Sequence, residues 1–170
     1  MSEEDLDFVS DVLSLLENTS CDFNHFFYRL GCTPVFLNSK GEYSRAAEHI
    51  LPADTENVKQ DSIDALATWL EIKYRPRLEK EQSTDDEERR ERMNKINPKF
   101  VLRQWILEEV IKNTKSEKGV GVANKEMLEM VLNMSLEPFN QEWGNDKVEE
   151  ERLCGDVPKA DRGFQCSCSS

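Results

Sequence analysis

Two histidines, no apolar run near the roughly 18 residues of a membrane-spanning helix, and no Lys or Arg in the first twenty residues are the conspicuous shortages of this sequence. The first shortage leaves His25 and His49 without a cysteine or carboxylate at metal-ligand spacing, so neither nucleates a zinc site. The second excludes a transmembrane segment. The third excludes an Arg-rich presequence and the basic opening of a signal peptide, so the chain as written carries no address label. Residues 1–20 instead hold Glu3, Glu4, Asp5, Asp7, Asp11 and Glu17, half of a formal net charge of −12. Nucleic-acid binding needs clustered cations that release counterions from phosphates, and this balance opposes it. Nucleotide and hydrolase motifs are scarce too. There is no Walker A sequence, no H-R-D or D-F-G, no G-x-S-x-G and no H-E-x-x-H. Gly119-Val120-Gly121 is a weak phosphate-loop candidate, lacking a preceding strand and a third glycine.

What is present is helical periodicity. Across 170 residues, 38% are hydrophobic and 33% charged, enough for one compact domain with a heavily solvated surface. Residues 3–17 place Leu6, Val9, Val12, Leu13 and Leu16 on one face, which predicts an amphipathic helix packed on that face. A second helix is predicted from Asp22 to Gly31, with Phe23, Phe26, Phe27 and Leu30 facing a core and Gly31 in the left-handed capping position. Residues 31–59 carry Pro34, Gly41 and Pro52 and read as a loop with one helical turn near Ala46–Leu51. The stripe Ile63, Leu66, Ala67, Leu70 and Tyr74 predicts a helix from Asp61 to Arg75, stopping before Pro76.

Residues 79–95 are almost wholly charged. Asp85–Arg89, Asp86–Arg90, Glu88–Arg92 and Glu91–Lys95 are spaced for i,i+4 pairing, which predicts a solvated helical face; a protein-docking surface is the sharper alternative. Asn97 then reads as an N-cap and Pro98 as the first residue of a helix over 98–111. Its apolar positions spread around more than half the circumference, which predicts the central helix of a bundle. Asn124 opens another helix, closed by Pro138. The expected architecture is all-α with about six helices in residues 1–143, followed by an irregular Cys/Ser-terminated tail over 144–170.

Five cysteines exclude a fully paired framework within one chain. Cys21 and Cys32 read as reduced structural residues. Cys166 and Cys168, one residue apart near the chain end, are accessible to thiol chemistry, with an inert tail as the plain alternative. A structural zinc site needs four ligands, and even with Cys154 the tail supplies three.

Three features together resemble one family: Asn97-Pro98-Lys99-Phe100-Val101-Leu102-Arg103, Leu136-Glu137-Pro138-Phe139-Asn140 and the terminal Cys168-Ser169-Ser170. They resemble the C-terminal region of selenoprotein O, the YdiU-type, kinase-like protein adenylyltransferases. Asp22-Phe23 and Phe27-Tyr28-Arg29-Leu30 look like an earlier helix of the same region. The resemblance implies transfer of AMP from ATP, with Mg²⁺, onto Ser, Thr or Tyr of protein substrates. It implies that the nucleotide and metal residues lie in a missing N-terminal catalytic part, so no catalytic, cofactor-binding or metal residue is carried over here. Neither ATP nor Mg²⁺ is expected to bind this chain alone. Asn97, Pro98 and Arg103 are the structural motif residues. Cys168, with Cys166 beside it, is the redox candidate, standing where the family has a terminal Cys or selenocysteine that pairs with a cysteine near the active site. Two departures stand out: Gln165 occupies the place where many selenocysteine-bearing members have cysteine, and Gln104 stands where Asn is usual. A mitochondrial location follows from the resemblance alone. The expected function is a catalytically incomplete portion of such an enzyme, from a truncated gene or a split product. A standalone acidic helical interaction module is the alternative.

Overall fold

A computed structural model of the chain describes residues 3–19, 21–52, 60–114 and 122–158. Every regular element among them is helical, as expected, and they fall into two compact units, Met1–Pro98 and Lys99–Ser170.

The first unit is built from α1 (Glu3–Thr19), α2 (Phe23–Cys32), α3 (Lys40–Ile50), α4 (Gln60–Trp69), α5 (Arg75–Lys80) and α6 (Asp86–Asn94). Its core gathers Phe26 and Leu30 of α2, Tyr43, Ala47 and Ile50 of α3, Leu66 and Trp69 of α4, and Tyr74. Burying each large side chain contributes about 1.5–3 kcal/mol, so this cluster outweighs the weak helix propensity of its aromatics. Asp22 lies outside α2 as its N-cap, accepting from the His25 amide at 3.0 Å. Gly31 is not a left-handed cap, because α2 continues to Cys32. Instead a Cβ at Gly31 would meet Met93 Cβ of α6 at 3.0 Å, so its lack of a side chain serves a close helix approach.

Four further expectations change in this unit. The predicted loop over 31–59 contains the three-turn helix α3, whose buried Tyr43, Ala46, Ala47 and Ile50 recur at helical spacing. The helix predicted to stop at Arg75 runs through Pro76. Leu70–Tyr74 forms a π-helical turn in which the Arg75 amide reaches back to the Leu70 carbonyl. Widening the turn accommodates a proline that has no N–H and would crowd the preceding carbonyl. In α1, Val12 is buried and Phe8, Leu15 and Leu16 pack on the core, but Leu6, Val9 and Leu13 face outward. The helix is rolled toward Phe8, whose ring centre lies 5.4 Å from that of Trp69, and in this setting Glu4 binds Lys80 at 2.5 Å, Asp5 binds Arg77 at 2.8 Å and Asp11 binds Lys73 at 3.2 Å. Finally, α6 is not wholly solvated. Arg89 is 2% exposed, and the ion pairs of α6 are Arg89–Asp86 and Arg90–Glu87 at i,i+3, not the i,i+4 set.

The second unit comprises α7 (Gln104–Thr114), α8 (Val122–Leu136) and α9 (Lys147–Leu153). Trp105, Ile106 and Val110 of α7, Val131 and Met134 of α8, Leu153 of α9 and Phe100 form its core. The helix predicted over 98–111 begins only at Gln104, where the Arg103 carbonyl accepts from the Ile106 and Leu107 amides. Asn97 does not cap it. Its backbone amide and side-chain amide both donate to the Met93 carbonyl, closing α6. Nor is α7 covered all round, since Leu107 and Ile111 are exposed. Helix α9 lies within the stretch expected to be irregular. Asp146 caps it by accepting from the Val148 amide at 3.1 Å, and Glu149 and Glu150 favour its first turn.

Candidate functional site

The second unit brings together the two sequence motifs that carried the family resemblance. Residues 98–103 are non-helical, and there the Phe100 amide donates to the Pro138 carbonyl at 3.1 Å, while the Phe100 ring is buried edge-on to Trp143, 6.3 Å between centroids. Lys99 donates to the Gln141 carbonyl at 2.7 Å, pairs with Glu151 at 3.2 Å and lies 5.8 Å from the Trp143 ring centre. Trp143 Nε1 donates to the Glu137 carbonyl at 2.9 Å. Lys99 and Phe100, in the non-helical segment before α7, both contact the turn after α8.

Under this junction sits Glu150, 3% exposed. Its carboxylate accepts from the Trp143 amide, from the Asn145 amide at 2.9 Å and from the Asn145 side-chain amide at 3.2 Å. Burial works against its charge, but the Asn145 and Trp143 amides outweigh burial and hold its pKa below the ordinary glutamate value. Glu150 was not a sequence candidate. Asp146 followed three residues later by Glu149 is the capping-box pattern that marks the helix presenting it.

Arg103 borders a groove of about 330 Å³ with Val101, Leu102, Gln104, Trp105, Glu108 and Val157. Arg152 lies over the Trp105 ring at 5.5 Å and forks onto Glu109 at 3.0 and 2.8 Å, with Glu149 on its other side. The groove therefore presents one cation and one carboxylate over an apolar floor, a docking shape without a nucleophile–base pair. In the first unit a second groove of about 310 Å³ lies between α1 and α5. Its Lys73, Arg77 and Lys80 are all paired with acids of α1, which leaves no surplus positive charge for a triphosphate.

No group of three or more His, Cys, Asp or Glu among the described residues has metal-site geometry. Cys21 is buried, Cys32 and Cys154 are half-buried, and all three are free thiols. Burial pushes the Cys154 thiol up to about 12. Cys166, Cys168 and Gly119-Val120-Gly121 lie outside the described residues. Among the described residues no helix is long and apolar enough to cross a membrane.

The family model for protein adenylyltransferase SelO matches residues 1–132. The mitochondrial protein adenylyltransferase SelO of Schizosaccharomyces pombe is 32% identical over 165 residues, which cover 95% of this chain and 27% of that protein. The protein nucleotidyltransferase YdiU of Myxococcus xanthus is 30% identical over 99% of this chain and 29% of its own length. That of Pseudomonas aeruginosa is 29% identical, again over 99% of this chain and 29% of its own length. The chain thus spans less than a third of the length of these curated relatives. No solved structure matches it.

Proposed function

Since the chain belongs to the protein adenylyltransferase SelO family, we propose that it forms the C-terminal helical part of an enzyme transferring AMP from ATP to Ser, Thr or Tyr hydroxyls of protein substrates. In that reaction the hydroxyl oxygen bonds to the α-phosphorus, diphosphate leaves and the hydroxyl proton is lost. ATP, Mg²⁺ and the reacting groups belong to the remainder of the enzyme. The observation that carries this reading is the match over nearly the whole chain to less than a third of each relative. The meeting of Phe100 with Pro138 supports a structural task for the shared motifs. The test is incubation of the 170-residue chain with labelled ATP, Mg²⁺ and a protein acceptor. No label is expected on either protein, and transfer by the chain alone overturns its incompleteness. A mitochondrial location of the whole enzyme is part of the same proposal, supported by likeness to the mitochondrial Schizosaccharomyces pombe protein, and cell fractionation reads this out.

Cys168, with Cys166 beside it, is proposed to control the enzyme by redox state. Two thiols each yield a proton and an electron to a low-molecular-weight disulfide, leaving one protein disulfide. Alkylation followed residue by residue in the chain tests this. Cys166 and Cys168 are expected to react much faster than Cys21 and Cys32 at pH 7.5, a condition chosen at about one unit below an ordinary thiol value. Equal rates remove the redox reading. Cys154 serves as an internal control, because its thiol is ionised only near pH 12. Its rate is expected to climb about tenfold per pH unit up to pH 11, whereas an ordinary cysteine levels off near pH 9.

A further inference from the structure

The outward side of α1 is unusual for a surface helix. Leu6, Val9 and Leu13 are 51%, 47% and 55% exposed, and their spacing places them within an arc of about 60°. Phe8, Val12, Leu15 and Leu16 already satisfy the core, so this is a second apolar stripe rather than a misplaced first one. The charges divide in the same way. Glu4, Asp5 and Asp11 find cations within their own unit and Asp7 lines the same groove as Lys73, Arg77 and Lys80, but Glu3 and Glu17, exposed beside the outward stripe, have no ion pair among the described residues. A surface that joins three aligned aliphatic side chains to a one-sided acidic edge is complementary to an apolar face edged with Lys or Arg. The relatives extend for more than two thirds of their length beyond the segment that this chain matches.

The geometry points to the Leu6–Val9–Leu13 stripe of α1 as the seat of the family's remaining catalytic portion, held through an apolar face with a basic edge. This rests on the proposed function, and names the surface by which the helical part joins the rest. It assigns α1 a binding role that its place in the core does not require.

The test uses this chain alone and a full-length chimera in which it replaces the matched segment of the Schizosaccharomyces pombe relative. Leu6→Ser with Leu13→Ser is expected to leave the melting temperature of the isolated chain within about 2 °C, because both side chains are exposed. In the chimera the same pair is expected to lower it by about 5 °C or more. Glu17→Lys is expected to lower the chimera's melting temperature most at low salt. Equal shifts in chain and chimera mean a purely structural stripe and overturn the inference. So do unmoved chimera values, or a chimera with the native stripe that does not fold. Sedimentation showing that the native chain dimerises and the Leu6→Ser, Leu13→Ser variant does not would assign the stripe to a second copy, which also overturns it. A folded, stripe-sensitive chimera that transfers no AMP sinks the proposed function and leaves the docking surface standing; an active chimera insensitive to the stripe does the reverse.

Discussion

Replacing Arg89 with Met is expected to destabilise the first unit by about 3–5 kcal/mol, the range for removing one partner of a buried charge pair. The guanidinium donates to the Leu30 carbonyl at 2.9 Å and the Thr33 carbonyl at 2.5 Å, both at the end of α2, and to Asp86 at 3.0 Å. It also lies 5.9 Å from the Tyr74 ring centre. Asp86 in turn accepts from the Val35 and Phe36 amides, at 3.0 and 3.2 Å, so the pair ties the chain leaving α2 to the start of α6. Met fills the volume but takes the guanidinium from the Thr33 carbonyl, leaves the Leu30 carbonyl only the Thr33 amide at 3.4 Å, and leaves the Asp86 charge only the Val35 and Phe36 amides. Each buried group stranded in this way costs about 1–3 kcal/mol, more when charged. Urea unfolding followed by far-ultraviolet circular dichroism measures the loss. Arg89→Lys is expected to recover only part of it, because a compact ammonium cannot span these three acceptors as the guanidinium fork does. Had α6 been the solvated face its composition implies, Arg89→Met would change stability by no more than about 0.5 kcal/mol. A loss below 1 kcal/mol, a threshold set at about the value of one ordinary hydrogen bond, therefore sinks the clamp.

Arg89 also shows where sequence reasoning reached its limit. A run such as Asp85-Asp86-Glu87-Glu88-Arg89-Arg90-Glu91-Arg92 announces a helix, and the helix is there. Nothing in its period singles out the one arginine that turns inward, because its acceptors are carbonyls at the end of α2, some 56–59 residues earlier in the chain. Side chains that satisfy distant backbone leave no periodic trace. The same holds at Asn97-Pro98. Locally this pair is a sound helix start, but Asn97 is claimed by the Met93 carbonyl and Phe100 by the Pro138 carbonyl, and helix α7 is deferred to Gln104. The motif was visible, and its partner motif was visible, but their meeting was not. By contrast, Tyr43, Ala46, Ala47 and Ile50 did carry the period of α3; Gly41 and the flanking prolines masked it, and two of the four positions are small alanines. In α1 the period was legible but ambiguous. Two apolar stripes compete for the core, and the one that carries Phe8, packed near Trp69 and Tyr74, takes it, with the ion pairs to Lys73, Arg77 and Lys80 falling alongside.

The second unit should respond most to Glu150→Gln, with an expected loss of about 2–3 kcal/mol at neutral pH. The substitution preserves shape and removes charge. The native carboxylate is an acceptor only, and it faces three N–H donors: the Trp143 amide, the Asn145 amide and the Asn145 side chain. All three donors reach Oε1 and the Trp143 amide also reaches Oε2, so a glutamine keeps one neutral acceptor for them, turns its N–H₂ toward the Trp143 amide, and gives up the charge that strengthens these bonds inside a site that is 3% exposed. The pH dependence separates this account from a simple packing defect. Because the folded pKa of Glu150 is depressed, its stabilisation is complete above the unfolded value of about 4.3 and fades as pH falls through the lower folded value. The gap between native and Glu150→Gln chains is thus expected to be widest from pH 6 to 8, about two or more units above that value, and to close progressively below pH 4. Hydrogen exchange of peptides spanning residues 137–153, read against those of α2 and α3, localises the effect to this unit. A gap that persists unchanged to pH 3, about a unit below the unfolded value, means that Gln disturbs packing and that the charge of Glu150 does not hold the junction of the two motifs together.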